Sequence, residues 1–519
     1  MKAEQSLSPV SMDISDYRRE FAQFNYAFEL AHYEHRAGLE RELHSERIYD
    51  RYSDLFTREA VQNLARAVEC VPLHLETERA SLHALYGAAR IGYLETRARE
   101  LTDERARCES LARVAWEDAS IPVHNVPKKI ANESDAARRR ELTSRWIDAL
   151  GTCNDLRAAR FDSFHEESRS LGVESYRALC ADIKLIDYDQ LASAAQKFLE
   201  RTERAYADAL AQWTTHALPG TAMDKLQHAD FFYFQRLIGL DAFFPAQELI
   251  KTYVSALDGF GIRAETQNNI HIDAEARPFK NPRASCFRIN PPDDVRLLVA
   301  PIGGAYDYTV FFHEAGHAQH FGWSSRELIN RYPEFLYAPD YATCEAHAFL
   351  LNNLFQDSVW LGEQRNLRPD IAEMAMRQLS LLMLHNVRRY CAKLIYEIAL
   401  HDADANGLRS TQMAESYATL QTEATGFARS PELYLWDVDD GFYAADYLRA
   451  WAFEVSFREH LRVRYGRRWW ASRKAGDELI DLWNTASRYS VEELARLIGL
   501  GEISFELLAE TLIANVSAS

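Results

Sequence analysis

The hydrophobic pattern of this chain is that of a helical protein from Ser15 to about Leu218. Apolar side chains recur there every three or four residues, and the positions between them are rich in Ala, Glu and Arg, which favour helices. Ser15 and Asp16 are suitable caps for a first helix. Further long helical stretches are predicted around 55–70, 76–117, 133–171 and 190–216.

The helical period is lost between Asn268 and Ile302, where proline, asparagine and β-branched residues become frequent. Strands are predicted at 269–275, 285–289 and 295–302, with a turn at 290–293. The edge of the last strand can pair with an extended peptide. Gly303 and Gly304 follow it, and they either let a backbone approach a ligand closely or form a plain loop.

Helical patterning surrounds this small sheet. Helices are predicted at 246–257, 306–323, 342–354, 370–401, 411–425 and 441–464. A chain of 519 residues is too long for one simple core. We therefore expect a helical N-terminal lobe, residues 1–218, and a second region, residues 219–519, that contains the sheet and the remaining helices.

The charge and composition of the chain argue against several classes of protein. The net charge of −18 argues against non-specific binding to nucleic acid or to an anionic membrane. No apolar run approaches 18 residues, and the first fifteen residues lack the apolar segment of a secretory signal. The seven cysteines are scattered without a C-x-x-C pair, which favours a reducing cytoplasm over a disulfide framework.

The candidate chemistry lies in the segment YDYTVFFHEAGHAQH, which contains the pattern H-E-x-x-H at His313, Glu314 and His317. Residues four apart share a helix face, so both imidazoles can bind one Zn²⁺ at about 2.0–2.1 Å. Glu314 projects about 100° away and can take a proton from water that the ion acidifies. The alternative is a buried amphipathic helix whose histidines form core hydrogen bonds.

Glu345 is the candidate third ligand. It lies on the next predicted helix, in the segment CEAHAFLLNNLF, where a surface carboxylate would have unusually apolar neighbours. Two histidines and one glutamate, with a fourth position open, form a ligand set of catalytic zinc sites. The sequence therefore predicts one zinc ion per chain, bound by His313, His317 and Glu345.

Tyr443 and Tyr447 are candidate catalytic residues from the aromatic segment GFYAADYLRAWAFE. They lie four positions apart and so share a helix face. A phenol beside a zinc ion can donate a hydrogen bond to the oxyanion of a tetrahedral intermediate. Two tyrosines in this pattern are otherwise typical of an amphipathic helix packed into a core.

Taken in order, the strand, Gly-Gly, H-E-A-G-H-x-x-H, E-A-x-A-F-L and G-F-Y-x-x-D-Y-L-R-A-W resemble the M3 family of zinc metallopeptidases, strongly over residues 280–460. Thimet oligopeptidase and the bacterial oligoendopeptidases are familiar members. The resemblance implies a mainly α, two-lobed, gluzincin-like body with a small sheet beside the metal helix. It also implies a deep channel for short peptides, the three metal ligands above, and Glu314 as general base and acid.

The chain departs from the family pattern near the tyrosines. Asp437, in WDVDD, stands near a position where many members carry histidine, and Phe442, Asp446 and Arg449 replace family tyrosines under one alignment. Arg449 can pair with the C-terminal carboxylate of a peptide, which would give carboxypeptidase-like trimming, or it can form a structural ion pair.

Two functional interpretations follow from these observations. The first is a cytoplasmic zinc peptidase that hydrolyses short peptides and binds neither nucleic acid nor membranes. The second keeps the scaffold without peptide hydrolysis, as a metalloenzyme of specialised metabolism or a peptide-binding protein. The altered tyrosine segment motivates the second interpretation.

Overall fold

The computed structural model describes residues 12–403 and 407–517. Helices account for 72% and strands for 5% of the structure, so the predicted mainly α fold with a small sheet is confirmed. Most predicted elements fall within a few residues of their observed bounds. Before residue 218 the structure adds three short helices, Ser45–Arg51, Val126–Asn132 and Tyr176–Lys184. It also adds a two-stranded hairpin that begins inside the helical stretch predicted over 76–117.

The helices of the N-terminal half share amphipathic patterning and, in several cases, a polar cap. They are α1 (Ile14–Arg36), α2 (Ser45–Arg51), α3 (Arg58–Cys70), α4 (Glu76–Arg97), α5 (Arg99–Leu111), α6 (Val126–Asn132), α7 (Ala136–Gly151), α8 (Asn154–Ser170), α9 (Tyr176–Lys184) and α10 (Tyr188–Ala217). The side chain of Asp13, not Ser15 or Asp16, caps α1 by accepting the N–H of Ser15.

The C-terminal half contains the helices that surround the sheet and the H-E-x-x-H segment. They are α11 (His228–Arg236), α12 (Leu249–Gly259), α13 (Ala305–Gly322), α14 (Arg326–Arg331), α15 (Ala342–Asn352), α16 (Ser358–Gln364), α17 (Pro369–Asp402), α18 (Thr411–Thr425), α19 (Tyr443–Tyr465), α20 (Arg473–Trp483), α21 (Val491–Leu497) and α22 (Phe505–Ser517). Short 3₁₀ turns connect several of them.

Two small sheets accompany these helices. Strands β1 (Arg113–Trp116) and β2 (Ala119–Pro122) form the antiparallel hairpin. Strands β3 (Ile270–Asp273), β4 (Ser285–Asn290) and β5 (Asp294–Leu298) form a sheet in the order β3-β5-β4, parallel between β3 and β5 and antiparallel between β5 and β4. The predicted free edge on the last strand is therefore wrong, because β5 is central and hydrogen-bonded on both sides.

The two halves of the chain pack against each other extensively. Helix α10 contacts α17 and α22, α1 lies beside β4, and α13 packs between that sheet and α15. One hydrophobic cluster extends from Tyr17 to Val516. The division at residue 218 stays a prediction, since helices from both sides of it contribute to the same core.

One feature of the cysteines differs from the expectation. Cys108 on α5 and Cys153 before α8 form a disulfide, with a Cα–Cα distance of 6.1 Å. The scattered spacing concealed this pair because the two residues meet only when α5 packs against α8. Across the described ranges, no helix is long and apolar enough to cross a membrane.

Candidate metal centre

Close packing between α13 and α15 creates the site. A Cβ on Gly316 would lie 2.6 Å from the Cα of Ala348 and 2.8 Å from the carbonyl oxygen of His347, so only glycine permits this approach. At the start of α13, the side chain of Asp307 accepts the N–H groups of Ile302 and Gly303 at 3.0 and 2.9 Å, which stabilises the turn that leads into the helix. The glycine in the H-E-x-x-H segment therefore serves helix packing next to the candidate ligands.

The structure brings His313, His317 and Glu345 together. Their ligand atoms all lie within 4.8 Å of one another. The Nε2 atom of His313 is 3.2 Å from Oε2 of Glu345, and that of His317 is 3.7 Å from Oε1. Ligands at about 2.0–2.1 Å from a tetrahedral zinc ion are themselves about 3.3 Å apart. The three side chains therefore fit one metal ion without rearrangement of the two helices.

The electrostatics of the ligands suit a cation. Burial lowers the pKa of His317 to about 3, so its imidazole is neutral, the form that binds metal. Burial alone would also lower the pKa of His313, but Glu345 outweighs burial and raises it. Burial likewise opposes ionisation of Glu345, yet the two histidines hold the pKa of its carboxyl below the usual value. A bound cation would take the place of the proton that His313 and Glu345 share.

Glu314 lies outside this ligand group, against the sheet. Its Oε2 accepts the backbone N–H of Cys286 on β4 at 2.8 Å, which fixes the carboxylate beside the ligands. Burial raises the pKa of Glu314, and His313 together with the Cys286 N–H offsets only part of that rise. A raised pKa suits a carboxylate that takes up a proton and releases it again.

The two tyrosines differ in their contacts. The hydroxyl of Tyr443 donates to Oε1 of Glu345. The ring of Tyr447 lies 5.0 Å from that of Tyr443 and 5.2 Å from that of Phe349, between centroids. Among residues 12–403 and 407–517, nothing hydrogen-bonds the Tyr447 hydroxyl, and burial and Glu345 raise its pKa well above 10. Tyr447 thus keeps a proton that it can donate.

Gly303 and Gly304 contact the protein's own chain. Both have positive φ, 83° and 93°. A Cβ on Gly303 would lie 3.1 Å from the carbonyl oxygen of Phe244, and one on Gly304 would lie 2.8 Å from Oδ1 of Asp241. This environment favours the plain-loop alternative, in which the glycines permit the turn into α13.

Arg449 is buried, with 3% of its side chain exposed. Its guanidinium donates to Asp340 at 2.9 and 3.0 Å and to Glu492 at 2.8 and 2.7 Å. These bonds occupy the bidentate faces of the guanidinium, so the structure favours the ion-pair alternative over the binding of a substrate carboxylate.

The other departures from the family pattern also make structural contacts. The Asp446 carboxylate bonds to the ammonium group of Lys184 at 2.7 and 2.8 Å. Asp437 accepts the hydroxyl of Tyr417 at 2.9 Å and pairs with Arg389 and Lys393. The ring of Phe442 is buried, 4.5 Å from that of Tyr188.

Sequence patterns did not reveal two features of the site. The first is the backbone N–H of Cys286, which donates to Glu314. Nearly every residue type offers such a donor, so the sequence does not indicate which one is used. Arg283 is solvent-exposed, yet it acts electrostatically on His313, Glu314 and Tyr447. It precedes β4 in a loop that has no motif, so its proximity to the ligands follows only from the fold.

No family model and no curated protein matches this sequence. Solved structures match it in fold. A protein described as an oligoendopeptidase F from Bacillus anthracis has a TM-score of 0.65 at 14% identity, over 99% of this chain and 97% of that one. A PZ peptidase A with an inhibitor gives 0.64 at 14% identity, over 99% of each chain. A Pyrococcus furiosus carboxypeptidase gives 0.61 at 14% identity, over 96% of this chain and 97% of that one.

These similar structures are peptidases of the M3 type that the sequence resembles. The predicted M3-type fold is therefore confirmed along nearly the whole chain. At this level of identity the likeness establishes the fold, and the chemistry depends on the residues of the site.

Proposed function

We propose that this protein is a zinc-dependent metallopeptidase that hydrolyses short peptides. One observation supports the proposal most strongly. Two imidazole nitrogens and one carboxylate oxygen converge as candidate metal ligands, and a second carboxylate, Glu314, lies next to them but outside the ligand group. A purely structural metal site has four protein ligands, whereas three ligands leave a position for water or substrate. The peptidase fold of the similar structures is consistent with this proposal.

His313, His317 and Glu345 would hold the ion, and Tyr443 would orient Glu345 through its hydrogen bond to Oε1. Zinc in this position supplies a Lewis acid that lowers the pKa of water and polarises a carbonyl group. The ligand set of two histidines and one carboxylate favours zinc over magnesium or calcium, which prefer oxygen ligands.

Glu314 would act as general base and then as general acid. The Cys286 N–H fixes one carboxylate oxygen and leaves the other for the proton of the attacking water. Because burial raises its pKa, Glu314 holds that proton long enough to deliver it to the leaving amine. Tyr447, whose hydroxyl has no hydrogen-bond partner among the described residues, would donate a hydrogen bond to the oxyanion.

An extended peptide would bind along β4, not β5. Strand β4 is at the edge of the sheet, and its residue Cys286 contacts Glu314 directly. Pairing of the peptide backbone with such an edge supplies affinity that depends little on side chains. A cytoplasmic location and an oligopeptidase specificity are parts of this proposal.

A peptide library provides the test. Protein stripped with a chelator and then restored with zinc would be incubated with a mixture of short peptides, and the products identified by mass. We expect cleavage by the restored protein, none by the stripped protein, and none by His313→Ala. A restored protein that retains peptides uncleaved would instead support a peptide-binding function, and the hydrolytic proposal would be wrong.

A further inference from the structure

A cavity of about 110 Å³ lies between helices of the N-terminal half and the segments that lead into α15 and α19. That volume admits one amino-acid side chain, since a cavity of about 150 Å³ holds a benzene molecule. Most of the cavity wall is apolar and comes from α4, α8, α9 and the loop before α15. The apolar residues of this wall are Ile91, Leu94, Phe164, Ile183, Pro339 and Tyr341.

Tyr443 joins this cavity to the candidate metal centre. It lines the cavity, with its ring 5.2 Å from that of Tyr341, and its hydroxyl donates to Oε1 of Glu345. The cavity is therefore one tyrosine side chain away from a candidate metal ligand. An extended peptide advances about 3.3 Å per residue, so a side chain that enters the cavity belongs to a residue close to the cleaved bond.

Two of the charged residues that line the cavity are already paired. The ammonium group of Lys184 bonds to Asp446 at 2.7 and 2.8 Å. Asp440 accepts both terminal nitrogens of Arg160 at 2.7 Å, and the Nε of Arg160 donates to Thr102 at 2.8 Å. All three nitrogens of this guanidinium thus have partners outside the cavity or at its rim.

Glu95 also lines the cavity, and it has no cationic partner among the described residues. Its Oε2 accepts the hydroxyl of Tyr49 at 3.2 Å, whereas nothing in the same ranges hydrogen-bonds its Oε1. Burial raises the pKa of Glu95 to about 7, so the cavity excludes most of the water that solvates a surface carboxylate; Asp440 raises this pKa further, and Arg160 and Tyr49 lower it. A cation inside the cavity would stabilise the ionised form.

We propose that this cavity binds the side chain of a lysine or arginine in the peptide substrate, and that Glu95 recognises its charge. This inference rests on the proposed peptidase function and deepens it. Both side chains combine a long apolar stem with a cationic tip. The stem would contact the apolar wall, and the tip would pair with Oε1 of Glu95. A neutral side chain of the same length would leave the carboxylate without a partner.

The first experiment moves one basic residue along a short peptide and compares matched peptides by kcat/KM and by product mass. Each lysine peptide is paired with its norleucine form, and each arginine peptide with its citrulline form, so the charge is removed while most of the shape is kept. At one position beside the cleaved bond, we expect the neutral form to lose about 10- to 100-fold, because hydrogen bonds between charged groups are the stronger ones. At the other positions both forms should be cleaved alike.

The second experiment repeats the preferred pair with Glu95→Gln. The amide keeps the size of the side chain and can still accept the Tyr49 hydroxyl, so the lost charge is the main change. The preference for the basic form should be largely lost, with a greater effect on KM than on kcat. Glu76→Gln, an exposed position on the same helix, is the matched control and should keep the preference. The circular dichroism spectrum of each variant establishes that it is folded.

Binding to the metal-free protein gives a readout that does not depend on cleavage. Calorimetric titration measures the Kd of the preferred basic peptide and of its neutral form. We expect the wild type to bind the basic form more tightly and Glu95→Gln to bind the two forms equally.

The outcomes separate this inference from the proposed function. If the wild type cleaves and binds basic and neutral forms equally at every position, the cavity assignment is wrong and the peptidase function stands. The assignment is also wrong if folded Glu95→Gln keeps the full preference. If no peptide is cleaved but the basic form binds more tightly through Glu95, the peptidase function is wrong and the cavity assignment stands. If no peptide is either cleaved or bound, both are wrong.

Discussion

At the scale of single residues, Glu314 and Glu345 show how different surroundings shift the pKa values of two carboxyl groups in opposite directions. Glu345 lies within 3.2 Å and 3.7 Å of two imidazoles, which hold the pKa of its carboxyl below the usual value despite burial. Glu314 has the backbone N–H of Cys286 as its bonded partner, and burial raises its pKa. The first environment suits a ligand, and the second suits a group that exchanges a proton.

Glu314→Gln tests this division directly. The amide keeps the size of the side chain but cannot take a proton from water, so kcat should fall by about 10²- to 10⁴-fold. Metal content and the thermal unfolding midpoint should stay close to wild type, since Glu314 lies outside the group of candidate ligands. Glu327→Gln, an exposed position on α14, serves as the control. Turnover by Glu314→Gln at the wild-type rate would refute the role of base.

Sequence patterns identified some of these residues and missed others, because a local pattern does not show contacts between distant segments. His313 and His317 are a local pattern on one helix, and the structure places them on one face. Arg449 lies in a segment that resembles the family, but its partners, Asp340 and Glu492, come from distant segments that a local pattern does not reveal. Arg283 lies in a segment without a motif, and its neighbours in the structure are distant from it in the sequence.

At the scale of elements, the contact between α13 and α15 determines whether Glu345 reaches the histidines. The backbones meet at Gly316, where a Cβ would lie 2.6 Å from the Cα of Ala348. Helix α15 also packs against α19, which carries Tyr443. Three helices thus position the candidate ligands and the tyrosine that bonds to one of them.

Gly316→Ala should separate α13 from α15. The added methyl group meets backbone atoms, which cannot move aside as a flexible side chain would, so we expect a stability loss of about 1–3 kcal/mol. Metal affinity should fall by about 10- to 100-fold, because Glu345 moves away from the histidines. Calorimetric titration with zinc measures this change. Gly239→Ala, with no atom within 4 Å of the new Cβ, is the control, and equal affinities in both variants would contradict the packing argument.

The buried carboxylate of Asp437 links α17 and α18 to the loop before α19. Burial alone would raise its pKa, but Arg389 and Lys393 outweigh burial and hold the pKa far below the usual value. A carboxyl with a depressed folded-state pKa stabilises the fold above its unfolded-state pKa of about 3.9, and this stabilisation is lost as the pH falls toward the folded-state value.

Asp437→Asn should therefore lower the thermal unfolding midpoint at pH 7. The change removes the carboxylate partner of Arg389, whereas Lys393 keeps Asp439 at 2.8 Å, so we expect a cost of about 3 kcal/mol. The difference between wild type and variant should shrink as the pH falls below about 4, because the carboxyl is then protonated in the unfolded chain while it stays ionised in the folded protein. Midpoints measured from pH 7 to pH 3 provide the test. A difference that stays constant with pH would show that Asp437 is not stabilised as an anion.

The element bounds show which parts of the fold are encoded locally. The long helices and the three strands of the larger sheet follow from their apolar periods. The hairpin at Arg113–Trp116 and Ala119–Pro122 consists of two strands of four residues each, and so short an alternation of exposed and buried residues does not stand out beside the helical pattern of α5. Strand order is not local either: β5 became central because β3 pairs with it across a separation of more than twenty residues.

At the scale of the whole molecule, segments far apart in sequence surround the candidate metal centre. Helix α1 packs against β4, whose Cys286 N–H bonds to Glu314, and α4 packs against the 3₁₀ turn at Pro333–Leu336. The N-terminal helices thus contribute walls to the site. A loop of a folded protein would have to unfold locally to reach the ligands between them.

We therefore predict that the protein cleaves short peptides and spares folded proteins. A quenched peptide would be compared with the same sequence grafted into a surface loop of a stable protein. The peptide should be cleaved rapidly, and the graft should be cleaved only after the host is denatured. Comparable rates on the peptide and on the native graft would show an open cleft in place of an enclosed one.

The central claim is that one metal ion, held by His313, His317 and Glu345, enables peptide hydrolysis. Zinc titrated into chelator-stripped protein, with the turnover of a short quenched peptide recorded at each addition, tests it most directly. We expect turnover to rise from zero in proportion to added zinc and to level off at one equivalent per chain. Hydrolysis that is already present in the stripped protein, or absent at every ratio of zinc to chain, would contradict the account.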